Sequence, residues 1–168
     1  MEIEFIEGLP LEETTDFEKE HSSDIQLSVS DKQELKNAGA VFLYLRDKQT
    51  KELIAETYFI EVDNLGKLIE KLQVPGIEEK HIGKNGIYCY INTTLSKYQR
   101  MGFGRKLKLH FLQLAKEMGY EFVIGHARRN GSIELNLTYP AERKSYTSVL
   151  IGAMEKRMIF IIKSYKLK

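Results

Sequence analysis

A second cysteine is missing from this sequence: Cys89 stands alone, so no disulfide can form within the chain and a reducing compartment is the simplest setting. An excess of charge is missing too. The 25 basic and 24 acidic residues leave a formal net charge of +1, which provides no global field to draw nucleic acid or a membrane. No stretch approaches ~18 uninterrupted apolar residues, so no membrane-spanning helix is expected. The opening MEIEFIEGLP is acidic and lacks the apolar run of a secretory signal. The four histidines (His21, His81, His110 and His126) are scattered without ligand spacing, and no metal site is expected. Repeats, low-complexity tracts and linkers are absent as well. With a length of 168 residues, these absences lead to the expectation of one cytoplasmic domain over 1–168.

What is present follows a readable order. Val41–Leu45 (VFLYL) and Leu53–Ile60 (LIAETYFI) are apolar, β-branched and aromatic runs joined by RDKQTKE, the pattern of a β-hairpin. Asn64–Leu72 suits a short helix ending before Pro75–Gly76. Ile87–Thr94 (IYCYINTT) reads as a strand, with Cys89 a small buried residue in its middle rather than a nucleophile. Gly104–Met118 then places Leu107, Phe111, Leu114, Ala115 and Met118 on one helical face, and Gly119 suits the C′ position. Glu121–His126 is a further strand, reached at once. A short helix is expected over Ser132–Leu137, then a terminal hairpin of Ser148–Ala153 and Met158–Ile162 that turns at Glu155-Lys156-Arg157. The order predicts an α/β (α+β) fold: a mixed, mostly antiparallel sheet with a central βαβ unit and flanking helices.

Charge and flexible backbone concentrate at one place inside that βαβ unit. Tyr98–Leu109 reads YQRMGFGRKLKL, with Gly102 and Gly104 among the cations Lys97, Arg100, Arg105, Lys106 and Lys108 and no carboxylate between Lys97 and His110. A helix N-terminus leaves N–H groups unpaired and carries partial positive charge, so it accepts anions. Glycines let the backbone approach a ligand and form a concave nest for phosphate oxygens. A tight turn followed by a solvated helix start is the plain alternative. Yet cations opening a helix are disfavoured by its dipole unless an anion is expected, which favours a pyrophosphate ligand. The P-loop string G-x-x-x-x-G-K-S/T does not occur here. The dinucleotide fingerprint fails as well, because its third glycine position is Leu107 and seven residues separate Thr94 from Gly102.

A third phosphate motif fits. TLSKYQRMGFGRKL resembles the acetyl-coenzyme A signature of the GCN5-related N-acetyltransferases, Gln/Arg-x-x-Gly-x-Gly/Ala, with Gln99, Gly102 and Gly104 at its defining positions. The strand before, the long helix after and the next strand match the family's order, and the resemblance extends from about Ala40 to Ile162. It implies that Asn92, Thr93, Thr94 and Leu95 meet the pantetheine arm of acetyl-CoA, mainly through backbone groups. It implies that the pyrophosphate falls on Gln99, Arg100, Met101, Gly102, Phe103, Gly104 and Arg105. In ARRNGSIEL, Asn130 takes the place of an asparagine that holds the cofactor arm, with an ordinary turn before Gly131 as the alternative.

The implied chemistry is acetyl transfer from a thioester to a primary amine by direct attack in a ternary complex. It needs a base for the amine and an acid for the leaving thiolate. The sequence departs from the family here. IYCYINTT has no carboxylate, so Glu56, or else Glu61, is the candidate base. The position where the family carries its acid tyrosine is Leu137, and Tyr139 is the nearest candidate. Tyr88 and Tyr90 share a strand face and either line the acceptor pocket or fill the core. The first 24 residues hold nine carboxylates and one lysine, either a wall that steers a cationic acceptor or a solvated helix face. The expected partner is an amine acceptor, small molecule or protein, with no membrane, and the chain is expected to be a monomer or homodimer. A non-catalytic acyl-CoA-binding module of the same fold is the alternative. Nucleic-acid binding, with Tyr98 and Phe103 stacking on bases, is the weakest reading.

Overall fold

The run LIAETYFI sits in a β-strand, Leu53–Glu61, buried at every position but the last, as befits a strand covered on both faces. Residues 1–21, 27–65, 85–128, 141–150 and 153–163 are described by the structure, a computed structural model. In chain order the elements are β1 (Ile3–Glu7), α1 (Leu11–His21), α2 (Val29–Asn37), β2 (Val41–Asp47), β3 (Leu53–Glu61), α3 (Val62–Leu65) and β4 (Gly86–Thr94). A 3₁₀ turn, Ser96–Tyr98, follows, then α4 (Phe103–Glu117), β5 (Phe122–Arg128), β6 (Ala141–Leu150) and β7 (Ala153–Lys163). They group into two units: Met1–Ile60 with Tyr90–Phe111, and Glu61–Cys89 with Leu112–Lys168.

In the first unit the strand order is β1-β2-β3-β4. β2 and β3 form the expected antiparallel hairpin, with Phe42 opposite Tyr58 and Tyr44 opposite Glu56. Its loop is organised by Asp47, whose Oδ1 accepts the Gln49 and Thr50 N–H groups at 2.7 and 3.0 Å. β1 pairs antiparallel with β2, and Glu4 there accepts from Arg46 Nε at 2.6 Å and Lys51 Nζ at 3.2 Å. These partners hold the Glu4 carboxyl below its usual range. Helix α2 has few apolar residues but a strong start: Ser28 Oγ accepts the Asp31 N–H while the Asp31 carboxylate accepts the Ser28 N–H.

In the second unit the order is β4-β5-β7-β6. β4 pairs with β5 in parallel, Gly86–Cys89 against Phe122–Gly125, whereas β1 with β2, β2 with β3, β5 with β7 and β6 with β7 pair antiparallel. A Cβ on residue 86 would lie 2.1 Å from the Phe122 ring, so this strand starts with glycine for lack of room. Gly119, with φ of +83°, closes α4 as expected. The terminal hairpin differs from the expectation: Leu150 faces Ala153, so the strands reverse between them and Glu155, Lys156 and Arg157 lie inside β7. The rest of the Asn64–Leu72 helix beyond Leu65 and the Ser132–Leu137 helix lie outside the described residues.

The face of β2 and β3 that carries Tyr44, Glu56 and Tyr58 is polar and wholly enclosed. Lys32 of α2 and Glu18 of α1, both without exposed surface, form an ion pair at 2.8 Å. Lys32 Nζ also donates to Thr14 Oγ1 at 2.9 Å, and Glu18 accepts from the Tyr58 hydroxyl at 3.2 Å and the Leu27 N–H at 3.0 Å. Both helices are thereby tied to β3. Neither oxygen of Glu56 has a hydrogen-bond partner among the described residues, nor has the Tyr44 hydroxyl. Burial, and secondly the Glu18 charge, push the Glu56 carboxyl up to about 9, with Lys32 opposing. With a carboxyl raised to about 9, Glu56 keeps its proton at neutral pH, and among the described residues the Glu18 carboxylate is matched by the Lys32 ammonium.

That proton links stability to pH. The unfolded chain releases it near the ordinary value of 4.5, whereas the folded protein keeps it up to about 9. The folded state thus holds more protons between those values, so this contribution is whole below about 4.5 and is lost as pH rises through about 9. Glu56→Gln keeps the shape and removes the titration. In melting curves from about pH 5 to 9, the wild-type melting temperature should fall relative to that of the variant. Parallel curves would rule Glu56 out as the source.

Candidate active site

The chain between β4 and α4 is a tethered loop within the first unit. Asn92, Thr93 and Thr94 are half-buried and Leu95 is buried. The Leu95 N–H donates to the Ile54 carbonyl at 2.9 Å, which ends the strand; the turn Ser96–Tyr98 follows at once. Gln99 then reaches back, its Nε2 donating to the Thr94 carbonyl at 3.1 Å. Arg100 and Gly102 both take positive φ, +62° and +85°. Arg100 is a long side chain in a left-handed conformation, which costs about 1–2 kcal/mol and marks a position held by its surroundings.

The two signature glycines answer different constraints. At Gly102 nothing lies within 4 Å of an added Cβ, and only the backbone conformation calls for glycine. At Gly104 a Cβ would meet Thr94 Oγ1 at 2.8 Å, so the helix start passes too close to the strand end for a side chain. The helix opens with the bond from the Lys106 N–H to the Gly102 carbonyl at 3.0 Å. The N–H groups of Phe103, Gly104 and Arg105 are therefore not used inside the helix.

Of the five cations in this stretch, three stand around those amides. Arg100, Arg105 and Lys106 are exposed, and no carboxylate pairs with them among the described residues. Lys97 is claimed by Glu52 at 2.5 Å. Lys108 is 1% exposed, its ammonium 4.8 Å from the centre of the Phe111 ring. Phe103 is buried, and the half-buried Tyr98 is bonded through its hydroxyl to Glu52, so neither ring stands free to stack on a base. Met101 is exposed.

Among the other candidates, Glu56 lies in the enclosed cluster described above and can accept a proton only after losing its own. Glu61 accepts from the Tyr120 hydroxyl at 2.8 Å; burial first, and that bond second, push the tyrosine up to about 12. Tyr90 is half-buried, its ring stacked 5.6 Å from that of Tyr58, and Tyr88 is buried. Asn130 and Tyr139 lie outside the described residues. The acidic N-terminal segment is partly spent on pairing. Glu2 and Glu4 face the lysines and arginine of the β2–β3 hairpin, Asp16 pairs with Lys19, and Glu18 is buried. Glu12 and Glu13 are exposed at the start of α1, where the helix dipole welcomes them. Sequence reasoning passed over Lys32 and Glu52 and counted Glu18 only within the acidic N-terminal segment; the readable signal was Glu56 itself, a carboxyl in the middle of a mostly apolar strand, which needs nearby groups to offset its burial.

The glycine constraints can be separated by experiment. Gly102→Ala should cost about 1–2 kcal/mol of stability through backbone strain alone, whatever stands at position 94. Gly104→Ala should be destabilising in the native background and much less so when Thr94→Ala removes the hydroxyl it strikes. Equal costs in both backgrounds, measured by denaturant unfolding, would show that Thr94 is not the obstacle.

No protein-family model matches the sequence, and no curated protein does either. Solved structures do match it. The ribosomal-protein-S18-alanine N-acetyltransferase of Escherichia coli superposes with a TM-score of 0.70 at 12% identity, over 96% of this chain and 94% of that one. NAA60 of Arabidopsis thaliana, crystallised with acetyl-CoA, gives 0.71 at 16% identity, over 96% and 98% of the two chains. The ribosomal-protein-alanine N-acetyltransferase of Brucella melitensis gives 0.69 at 11%, over 95% and 99%. At such low identity the likeness is one of architecture: the chain has the fold of the GNAT acetyltransferases.

Proposed function

We propose that this protein is an N-acetyltransferase that moves an acetyl group from acetyl-CoA to a primary amine. The observation that carries the reading is the helix start at Phe103–Arg105. Its backbone N–H groups are open, Gly102 and Gly104 keep side chains away from the approach, and Arg100, Arg105 and Lys106 stand by without carboxylate partners. Such a nest suits a multiply charged anion of pyrophosphate size. The strand that leads into it offers Asn92, Thr93, Thr94 and Leu95 for the pantetheine arm, and Asn130 is assigned to the same arm. Acetyl-CoA would supply the thioester; the chain's part is to hold the phosphates at Gln99–Arg105 and so fix where the thioester carbon lies.

The nitrogen of the neutral amine attacks that carbon, the carbon–sulfur bond breaks, and the thiolate leaves with a proton. Tyr139 is the proposed donor of that proton. Glu56 is the proposed acceptor of the amine's proton, which, since its carboxyl is enclosed, it would take through water, and with that carboxyl pushed up to about 9 a rate dependent on it should climb as pH approaches that value. Two of the similar structures are named for acetylating alanine of ribosomal proteins, so peptides with a free N-terminal alanine are the first acceptors to try, ahead of lysine side chains and small amines. The protonated state of Glu56 also keeps a second reading open, a binding module that holds acyl-CoA without chemistry. Thiol release on adding amine separates the two.

Coenzyme A should raise the melting temperature progressively with concentration, because only the folded state offers the nest. Replacing Arg100, Arg105 and Lys106 together by glutamine should weaken binding by about tenfold or more and flatten its dependence on salt. No thermal shift at millimolar coenzyme A would overturn the proposal.

A further inference from the structure

Lys97 and Tyr98 stand directly before the proposed phosphate loop, yet both side chains turn to one carboxylate. Glu52 closes the β2–β3 hairpin. One of its oxygens lies 2.5 Å from the Lys97 ammonium, and the other accepts the Tyr98 hydroxyl at 2.8 Å. These two bonds hold the Glu52 carboxyl below its usual range and raise both partners. The Tyr98 ring meets Phe103 edge-on at 5.7 Å, and the Lys106 ammonium lies 5.3 Å from the Phe103 ring centre. A line of contacts therefore runs from the hairpin through Tyr98 and Phe103 into the first turn of α4.

The turn that carries Lys97 and Tyr98 holds itself by two backbone bonds, from the Tyr98 N–H to the Leu95 carbonyl at 2.8 Å and from the Gln99 N–H to the Ser96 carbonyl at 3.2 Å. It is three residues long, and Leu95 at its entrance makes no side-chain cap. Upstream, Leu95 is fixed to Ile54; downstream, the helix opens with the bond to the Gly102 carbonyl. Between them lie the two positive-φ residues, Arg100 and Gly102. Glu52 is itself well placed: its carbonyl accepts the Asp47 N–H at 3.0 Å and its own N–H donates to Thr50 Oγ1 at 3.3 Å.

We propose that Glu52 is a positioning residue for cofactor binding: it clamps Lys97 and Tyr98 so that the amides of Phe103–Arg105 are held open toward an anion. The assignment rests on the proposed function and extends it to a residue outside the glycine motif. It also withdraws the Lys97 charge from the loop, which makes the direction of the test informative. If Glu52 only masks a cation, its removal should strengthen the binding of an anion. If it sets the loop's shape, removal should weaken it despite the freed charge.

The test uses the full chain with Glu52→Gln, Tyr98→Phe and the two combined, and it has two readouts. In the protein alone, exchange of the hydrogen-bonded Tyr98, Gln99 and Lys106 amides, which flank the open ones, should quicken by about tenfold in each single variant, with little further change in the double, while the core amides stay protected. With coenzyme A, the dissociation constant should rise by about tenfold in each, and the KM for the amine should stay unchanged. Unchanged exchange, or effects that simply add in the double variant, would overturn the clamp. So would tighter coenzyme A binding by Glu52→Gln. Should the wild-type protein bind no coenzyme A, the proposed function falls, and the exchange readout alone decides whether Glu52 shapes this loop.

Discussion

Thr94 is touched from two directions by the loop that follows it. Its carbonyl receives the Gln99 amide, and its hydroxyl occupies the space that a side chain on residue 104 would need. The strand end and the helix start are consequently closer than two ordinary residues permit. A loop pinned this tightly must spend its length on unusual backbone angles, and Arg100 and Gly102 supply them. The open amides at the start of α4 follow from the same constraint. Their position is set by the strand, so they need no ligand to keep them in place, which is the condition for binding without a large ordering cost.

The rest of the first unit shows how a nearly neutral chain disposes of charge. Glu18 and Lys32 cancel inside, and Glu56 avoids the cost of burial by keeping a proton. On the surface, Glu4 answers the basic hairpin and Glu52 answers Lys97. At the loop, by contrast, Arg100, Arg105 and Lys106 have no carboxylate partner among the described residues. A net charge near zero therefore conceals a concentrated positive site, and the sum over the chain is a poor guide to where an anion would go.

The elements with a strong period were legible in the sequence. VFLYL, LIAETYFI, IYCYINTT and the long amphipathic helix with Gly119 at its end all fall within a residue or two of their expected bounds. β1 escaped notice because it is five residues, with acids at 4 and 7 that break any alternation, and the partners of Glu4, Arg46 and Lys51, come from more than 40 residues away. α2 escaped because its buried residues are one leucine and one lysine, too few for an apolar stripe, although Ser28 and Asp31 spelled out its start. The terminal hairpin was misplaced because a run of three charges looks like a turn, whereas Glu155, Lys156 and Arg157 all pair within β7. The motif itself was readable, but not that Lys97 and Lys108 are taken up elsewhere, since that depends on neighbours that only folding brings near.

At the entrance to β4, the ring of Phe122 fills the volume that any side chain on residue 86 would claim. Neither residue is informative alone; glycine and phenylalanine are each replaceable, but only as a pair whose volumes sum to the same amount. The shape of the parallel step is thus stored in a sum over two positions, and the same sum has many solutions. An architecture kept in such sums can persist while the residues at each position turn over almost completely. Searching for kin of this chain by letter would discard that information, whereas a comparison of summed volumes at touching positions would retain it.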